Sequence, residues 1–499
     1  MPEYYIGVDS GTQSTKAIVL DSETGAIIGK ASRSYGLIKG LPPGHMEQHP
    51  ETWIQETLAA IKEALNQSKI DRSKVKGIGI SGQQHGFVPL DEVGHVIRPA
   101  KLWNDTSTVE ECIIIMERLG GIKETINQVG NSILPGYTAP KILWLKHHEP
   151  DNYAKLAKVL LPHDYLNYML TDVVAMEYGD ASGTLLMDVK TRSWSDPVID
   201  AIDPALKEKL PNLNPSNKPV GHLSQKAAHS LDLSTDVLVS AGGGDNMMGA
   251  IGTGNTSPGK VTVSLGTSGT VYAYSERPVV DPVGEVAAFC NSTNAWLPLV
   301  CTMNVTVATE LVRKLFKQSY AELEEKLLAS SVGSYGLIFL PYLTGERTPN
   351  MPDSCGVLHG LTPVNYSESN ITRATVEGVT LGLNYGLNRI RELGIEPKEI
   401  RLTGGGSRNK AWAQICADIF DSKVVGFKES EGAALGAAIQ ALWCYWIHIG
   451  SGESISSLTD RLVEVNESTR MKSNSENVDK YKKIQKIHDS LRDKLFQHG

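Results

Sequence analysis

Apolar residues along this chain fall in short runs separated by glycines and small polar residues, the pattern of strands buried in an α/β core. Residues 4–8, 17–20 and 27–32 predict three strands. Between the first two, Asp9-Ser10-Gly11-Thr12-Gln13-Ser14-Thr15-Lys16 is a polar turn, so they form a hairpin whose tip carries hydroxyls, a carboxylate and a lysine. Residues 50–66 change period: Trp53, Leu58, Ile61 and Leu65 recur at helical spacing. Residues 75–80 return to a buried strand that ends in Ser81-Gly82-Gln83-Gln84-His85-Gly86, and Trp103-Asn104-Asp105 closes a further strand-like stretch. From about 107 to 175 the chain reads as mainly helical, with Pro140 to Leu145 opening one helix, and 211–215 is a loop. At 237–239 a short β-branched run meets Gly242-Gly243-Gly244, then Asp245, then an apolar segment able to continue as a helix. The amide dipoles of a helix start hold such a carboxylate ionised, which suits a catalytic base as well as a helix cap.

A second start follows. Lys260 to Leu265 and residues 271–274 are strands around Gly266-Thr267-Ser268-Gly269-Thr270, a Gly-Thr tip like that at Gly11-Thr12. Residues 76–82 (KGIGISG) and 399–405 (EIRLTGG) are each a strand running into a glycine turn. Two repeats in the same order predict a duplicated domain with its seam near 252–259. The division expected is 1–253 and 254–499, with a charged tail beyond Gly450. That tail finishes as a helix with Tyr481, Ile484, Ile487, Leu491 and Leu495 on its apolar face.

Composition narrows the class. In 499 residues, 41% are hydrophobic and 21% charged, as in an ordinary soluble protein. The net charge of −8 comes without a basic block, which argues against nucleic acid and anionic membranes as partners. No secretory signal or apolar span is evident, so a cytoplasmic location is expected. Six cysteines without a CxxC pair suggest neither a disulfide frame nor zinc.

The chemistry lies in the turns. Glycine- and hydroxyl-rich turns present backbone N–H groups to phosphate. The two Gly-Thr tips and Gly404-Gly405-Gly406-Ser407 therefore read together as a nucleotide clamp, although each alone is an ordinary tight turn. Gly254 to Lys260 resembles a P-loop, but Val261 stands where Ser or Thr must ligate magnesium, and a strand follows. Asp9 beside the first tip suits Mg²⁺, which takes few protein ligands. Gln83-Gln84-His85 and Trp103-Asn104-Asp105, at strand ends, suit a polyhydroxylated acceptor. The charged loop Gly345-Glu346-Arg347-Thr348-Pro349 reads equally as a salt-bridged structural turn.

These residues resemble the FGGY family of carbohydrate kinases, the group of glycerol kinase, gluconokinase and xylulokinase, across residues 4 to 445. One family signature is similar to Gly136-Tyr-Thr138-x-x-Lys141-Ile142-Leu-Trp144-Leu145, and a second runs from Gly356-Val-Leu358-His-Gly360-Leu361 to Ala374-Thr-Val-Glu377-Gly378. Segments 81–86, 102–105, 241–246 and 340–349 look most like the members that act on xylulose. The resemblance implies two duplicated actin-like, Hsp70-like (ribonuclease H-like) α/β domains, with the site in the cleft between them. It implies ATP-dependent phosphorylation of D-xylulose with Mg²⁺ as cofactor and Asp245 as general base. Gln84, His85, Trp103, Asn104, Asp105 and Asn246 would meet the sugar. Thr12, Gly266, Thr267, Gly405, Gly406 and Asn409 would meet the nucleotide, with Asp9 near the metal. Self-association as a homodimer is left open. One departure is Gln84, where such kinases commonly carry Met, so a kinase for another pentulose, polyol or hexulose, ribulose among them, is the nearest alternative. A non-catalytic ATPase or sugar sensor of the same fold is a more distant one.

Overall fold

The computed structural model describes residues 2–428 and 432–496; Met1, 429–431 and 497–499 of the two expected domains lie outside the described residues. Two mixed sheets carry the fold. The first holds β1 (Tyr4–Ser10), β2 (Ser14–Asp21), β3 (Ile27–Ser34), β4 (Val75–Gly82), β5 (Gly221–His222), β6 (Leu238–Val239) and β7 (Gly243–Gly244). Its order is β3-β2-β1-β4-β6-β5, with β7 continuing alongside β4. The second holds β8 (Lys260–Leu265), β9 (Gly269–Ala273), β10 (Leu299–Thr302), β11 (Glu399–Thr403), β12 (Lys423–Phe427) and β13 (Val465–Met471), in the order β10-β9-β8-β11-β12-β13. Strand senses agree as well. In each sheet three antiparallel strands lead into two parallel neighbours and then an antiparallel edge. The hairpin β1–β2 thus answers β8–β9, and β4 answers β11, the pairs that the sequence repeats single out.

The central strands are near-continuous apolar runs because helices cover both faces. On one face the helix Pro50–Ser68 buries Trp53, Thr57, Ile61 and Ala64. On the other lies a helix from the far end of the chain, Gly432–His448, whose buried residues run unbroken from Ala434 to Cys444. Its backbone rests on strand glycines: a Cβ at Gly7 would stand 1.9 Å from the Ala434 carbonyl oxygen, and one at Gly79 2.0 Å from that of Ala437. A helix covered on several sides is largely apolar, and here the buried Gln440 is satisfied by Ser240 and Gly242. The second half of the sequence therefore supplies one layer over the first sheet. The same helix crosses Asp245–Gly252, the helix that follows β7.

Several local expectations differ. Residues 212–214, read as loop, form a short strand, Asn212–Asn214, parallel to Ala175–Glu177. The strand before the Trp103 turn is only Ala100–Lys101. The tail helix, Ser475–Phe496, buries Val478, Tyr481, Gln485, His488 and Arg492, whereas Ile487 and Leu495 are exposed. Its inner face is held by polar partners that an apolar count misses: Tyr481 donates to Glu377, and Gln485 pairs with Asn384. Among the described residues no helix is long and apolar enough to cross a membrane, and all six cysteines are free.

Candidate functional site

Strand register builds the floor of the site. Asp9 of β1 lies opposite Ser81 of β4, which lies opposite Gly243 of β7. Three strand ends thus meet at one level on the carboxyl edge, where open α/β sheets hold their ligands. Ser81 Oγ donates to Asp9 Oδ1 at 3.1 Å.

Asp245 follows directly. It is not the cap of its helix: Gly244 holds that position, and Asp245 is the first helical residue. Its Oδ1 accepts from the Asn246 backbone N–H at 2.8 Å and from Asn246 Nδ2 at 3.0 Å. Burial pushes its carboxyl up to about 7, and the carboxylates of Asp9 and Asp180 add to the shift. These outweigh the two hydrogen bonds, so the expectation that the helix start keeps it firmly ionised is corrected. Desolvation beside like charges wins.

Asp245 shares a cavity of about 390 Å³ with Gln84, His85, Trp103 and Asn246 from the first half and with Ser264, Thr270, Cys301 and Arg347 from the second. Asn246 Nδ2 also donates to Gln84 Oε1 at 2.7 Å, and Gln84 Nε2 donates to the Met247 sulfur. His85 adopts a left-handed backbone, φ 62°. Its ring packs against Tyr137 and Phe289, with centroids 4.7 and 5.6 Å away. Burial, then the Lys141 and Arg347 cations, hold the imidazole well below the usual histidine range, so it stays neutral at pH 7.

Lys141, from the helix Thr138–His148, explains that backbone. Fully buried, it donates to the carbonyls of His85 at 2.7 Å and Gly136 at 2.6 Å, and Thr138 Oγ1 also donates to His85 O. It clamps two turns of the cavity wall together. Lys141→Met would leave Gly136 O without this donor and free the strained His85 turn. The expected result is a KM raised about tenfold for the substrate that this cavity takes and stability lowered by about 1–3 kcal/mol, read by steady-state kinetics and urea unfolding. Unchanged values for both would remove Lys141 from this role.

Not every expected residue reaches the cavity. Asp105 is fully buried and saturated: Met46 N and Lys101 Nζ bind Oδ2, while Ser107 N and Oγ bind Oδ1. It is therefore corrected from a sugar contact to the anchor of the Trp103 turn. Asn104 does not line the cavity, and its buried Oδ1 has no partner. His45, Glu47 and Asp105 approach as metal ligands would, but the Lys101 ammonium fills that place, within 3.3 Å of each and 3.8 Å from the Trp144 ring centroid. Thr12, at the tip of the first hairpin, accepts from Trp103 Nε1 and donates to Gln83.

On the second half Gly405, Gly406 and Asn409 line another cavity, of about 450 Å³, with Thr306, Tyr320 and Trp412. Asn409 caps the helix Lys410–Phe420, its side chain accepting from Trp412 N. The carbonyls of Gly266 and Thr267 accept from Thr306 N and Val305 N, so this turn stands between the two cavities. Arg347 was the residue whose role the sequence left undecided. A charge next to a Gly turn was the signal, and only the fold shows that it lines the cavity of Asp245.

Residues 4–252 match the N-terminal domain of the FGGY family of carbohydrate kinases and residues 261–445 its C-terminal domain. The chain is 41% identical to a xylulose kinase of Haemophilus influenzae, covering 96% of this chain and 97% of that one. It is 36% identical to a xylulose kinase of Bacillus subtilis, covering 98% and 96%. The crystal structure of a xyloylose kinase from Brucella ovis superposes with a TM-score of 0.91 at 30% identity, covering 99% of both chains. With two sheets of one topology, a cavity walled by both, and both family domains in sequence, the chain belongs to the FGGY family of carbohydrate kinases and is a sugar kinase.

Proposed function

We propose that the protein transfers the γ-phosphoryl group of ATP to the terminal hydroxyl of D-xylulose, with Asp245 as general base. The observation that carries this reading is the position of Asp245 in a cavity walled by both halves, with its carboxyl shifted to about 7. A base titrating near the working pH combines the right protonation state with driving force. The hydroxyl oxygen bonds to the γ-phosphorus, the bond from that phosphorus to ADP breaks, and the hydroxyl proton passes to Asp245. The xylulose kinases among its relatives support the choice of sugar. Gln84, His85, Trp103 and Asn246 would hold the acceptor. Both ends of the Gln84 amide are engaged within the protein, so its difference from the usual Met argues little for another sugar.

The first half, to residue 253, would hold the sugar and the second the nucleotide, on Gly266, Thr267, Gly405, Gly406 and Asn409, with Thr12 joining from the first hairpin. Oxygen donors suit Mg²⁺, and the Asp9 carboxylate, close enough to Asp245 to raise its carboxyl, is the residue that would hold the cation. When bound, Mg²⁺ would offset charge on the transferring phosphoryl group. A coupled ADP-release screen over pentuloses, hexuloses and polyols tests the assignment. Turnover of D-xylulose well above the rest is expected, and none on D-xylulose would overturn it.

The base must be deprotonated to act. Because its folded-state carboxyl is raised, kcat/KM should climb with pH through about 7 and level off above it. A flat profile from pH 5.5 to 8.5 would exclude Asp245 as the titrating group.

A further inference from the structure

We propose that Arg347 is the residue through which the second half reads the acceptor, donating its guanidinium fork to the carbonyl of an open-chain keto sugar. The inference rests on the keto-sugar reading above and adds to it a determinant of substrate class. Arg347 sits in the loop after the strand Ile338–Pro341 and lines the cavity that holds Asp245. Its neighbour Glu346 is 5% exposed, and that carboxylate is spent on local N–H groups: Oε1 accepts from the backbone N–H of Met303 and Arg347, and Oε2 from the Asn304 side-chain amide. Glu346 therefore fixes the loop and attracts the arginine without pairing with it. Among the described residues Arg347 forms no ion pair. It shares the cavity wall with Cys301, Tyr137 and His85. Arg347, Cys301 and Asp245 all line this one cavity.

A guanidinium offers five donors and no acceptor. A half-buried cation with no carboxylate paired to it is costly, so its place on the cavity wall calls for a ligand oxygen to complete it. The chemistry of the acceptor supplies one. A ketopentose closes its furanose ring through the same terminal oxygen that receives the phosphoryl group. The form that reacts must therefore be acyclic, with its C2 carbonyl free. That carbonyl oxygen only accepts hydrogen bonds, whereas each hydroxyl of a polyol can also donate and so suits a donor-only fork less well. Because Arg347 comes from the second half, a bound keto sugar would also tie the two walls of the cavity together.

The test uses the full-length protein, its Arg347→Met and Arg347→Lys variants, and three acceptors. D-xylulose is compared with xylitol and D-arabitol, the two alcohols that differ from it only at C2, as substrates or competitive inhibitors. Arg347→Met should raise the KM for D-xylulose roughly 10- to 100-fold and leave the KM for ATP within about twofold. The preference for D-xylulose over the two alcohols should fall by about tenfold or more. Arg347→Lys keeps the charge but not the fork and should restore only part of that preference. Thermal melting with and without ADP reports whether each variant is folded. An unchanged ketose-to-alcohol preference in a folded Arg347→Met protein would overturn the proposal, as would a wild type that favours the alcohols. If the wild type instead prefers another keto sugar, D-xylulose is the wrong acceptor but Arg347 is tested in the same way on that sugar and its C2 alcohols.

Discussion

Asp245→Asn is expected to lower kcat at saturating sugar and ATP by roughly 10²- to 10⁴-fold. The substitution keeps the shape and leaves an amide oxygen to accept the Asn246 backbone N–H, so the local hydrogen bonding survives. What disappears is the proton acceptor. Stability should not suffer, because a carboxylate raised by burial and by Asp9 and Asp180 is a destabilising charge at neutral pH. The linkage sign agrees. A carboxyl whose folded pKa exceeds its unfolded value binds its proton more tightly in the folded state, so its contribution to stability falls as pH rises from about 4 to about 7. Removing it should hold or raise the unfolding midpoint at pH 8. The pH limb near 7 in kcat/KM should also vanish from the residual activity. A variant with near-normal turnover would show that the base lies elsewhere, and one that also lost ATP binding would implicate Asp245 in the nucleotide site.

Much of the frame was legible because the repeat is written in strands and glycines. The β1–β2 and β8–β9 hairpins and the β4 and β11 strands announce themselves by apolar runs ending in small-residue turns. The place of Asp245 on the cavity wall was legible only in part, since a carboxylate after three glycines reads as a helix cap as readily as a base. Side-chain direction was not. Asp105 sits beside Trp103 in the sequence, yet points to Lys101, four residues back, because a buried ammonium needs its charge more than the cavity does. The titration of Asp245 was misjudged because its carboxylate neighbours come from residues 9 and 180, distances that no local pattern spans. The inner face of Ser475–Phe496 was misregistered because its polar residues are buried by partners on other elements. The role of Arg347 depended on Glu346 turning to the backbone, which a Glu-Arg pair in sequence does not reveal.

The crossing that sets the position of Asp245 yields the largest expected loss of stability. In an ordinary exposed helix, Gly→Ala would stabilise by up to about 1 kcal/mol. At Gly436 the sign should reverse. A Cβ there would lie 1.8 Å from the Met248 carbonyl oxygen and 2.8 Å from the Gly252 nitrogen. Both are backbone atoms of the helix Asp245–Gly252, so no flexible side chain can swing aside. Gly252 meets the partner helix as closely, 1.7 Å from Gly432 O to a Cβ built upon it, so the two helices touch through glycines on both sides. Gly436→Ala must therefore push the helices apart, opening the packing that holds Gly432–His448 on the first sheet. A cost of roughly 2–4 kcal/mol in urea unfolding is expected. Gly452→Ala, where a Cβ would meet nothing within 4 Å, is the control and should be near neutral. Function should move with stability, because Asp245 is the first residue of the displaced helix and shifts of about 1 Å at a reacting group cost up to about 10²-fold in rate. The folded fraction of Gly436→Ala should thus show a lower kcat, with ATP binding largely retained. If midpoint and kcat both matched the wild type, the glycine crossing would not be the element that fixes Asp245 against its substrate.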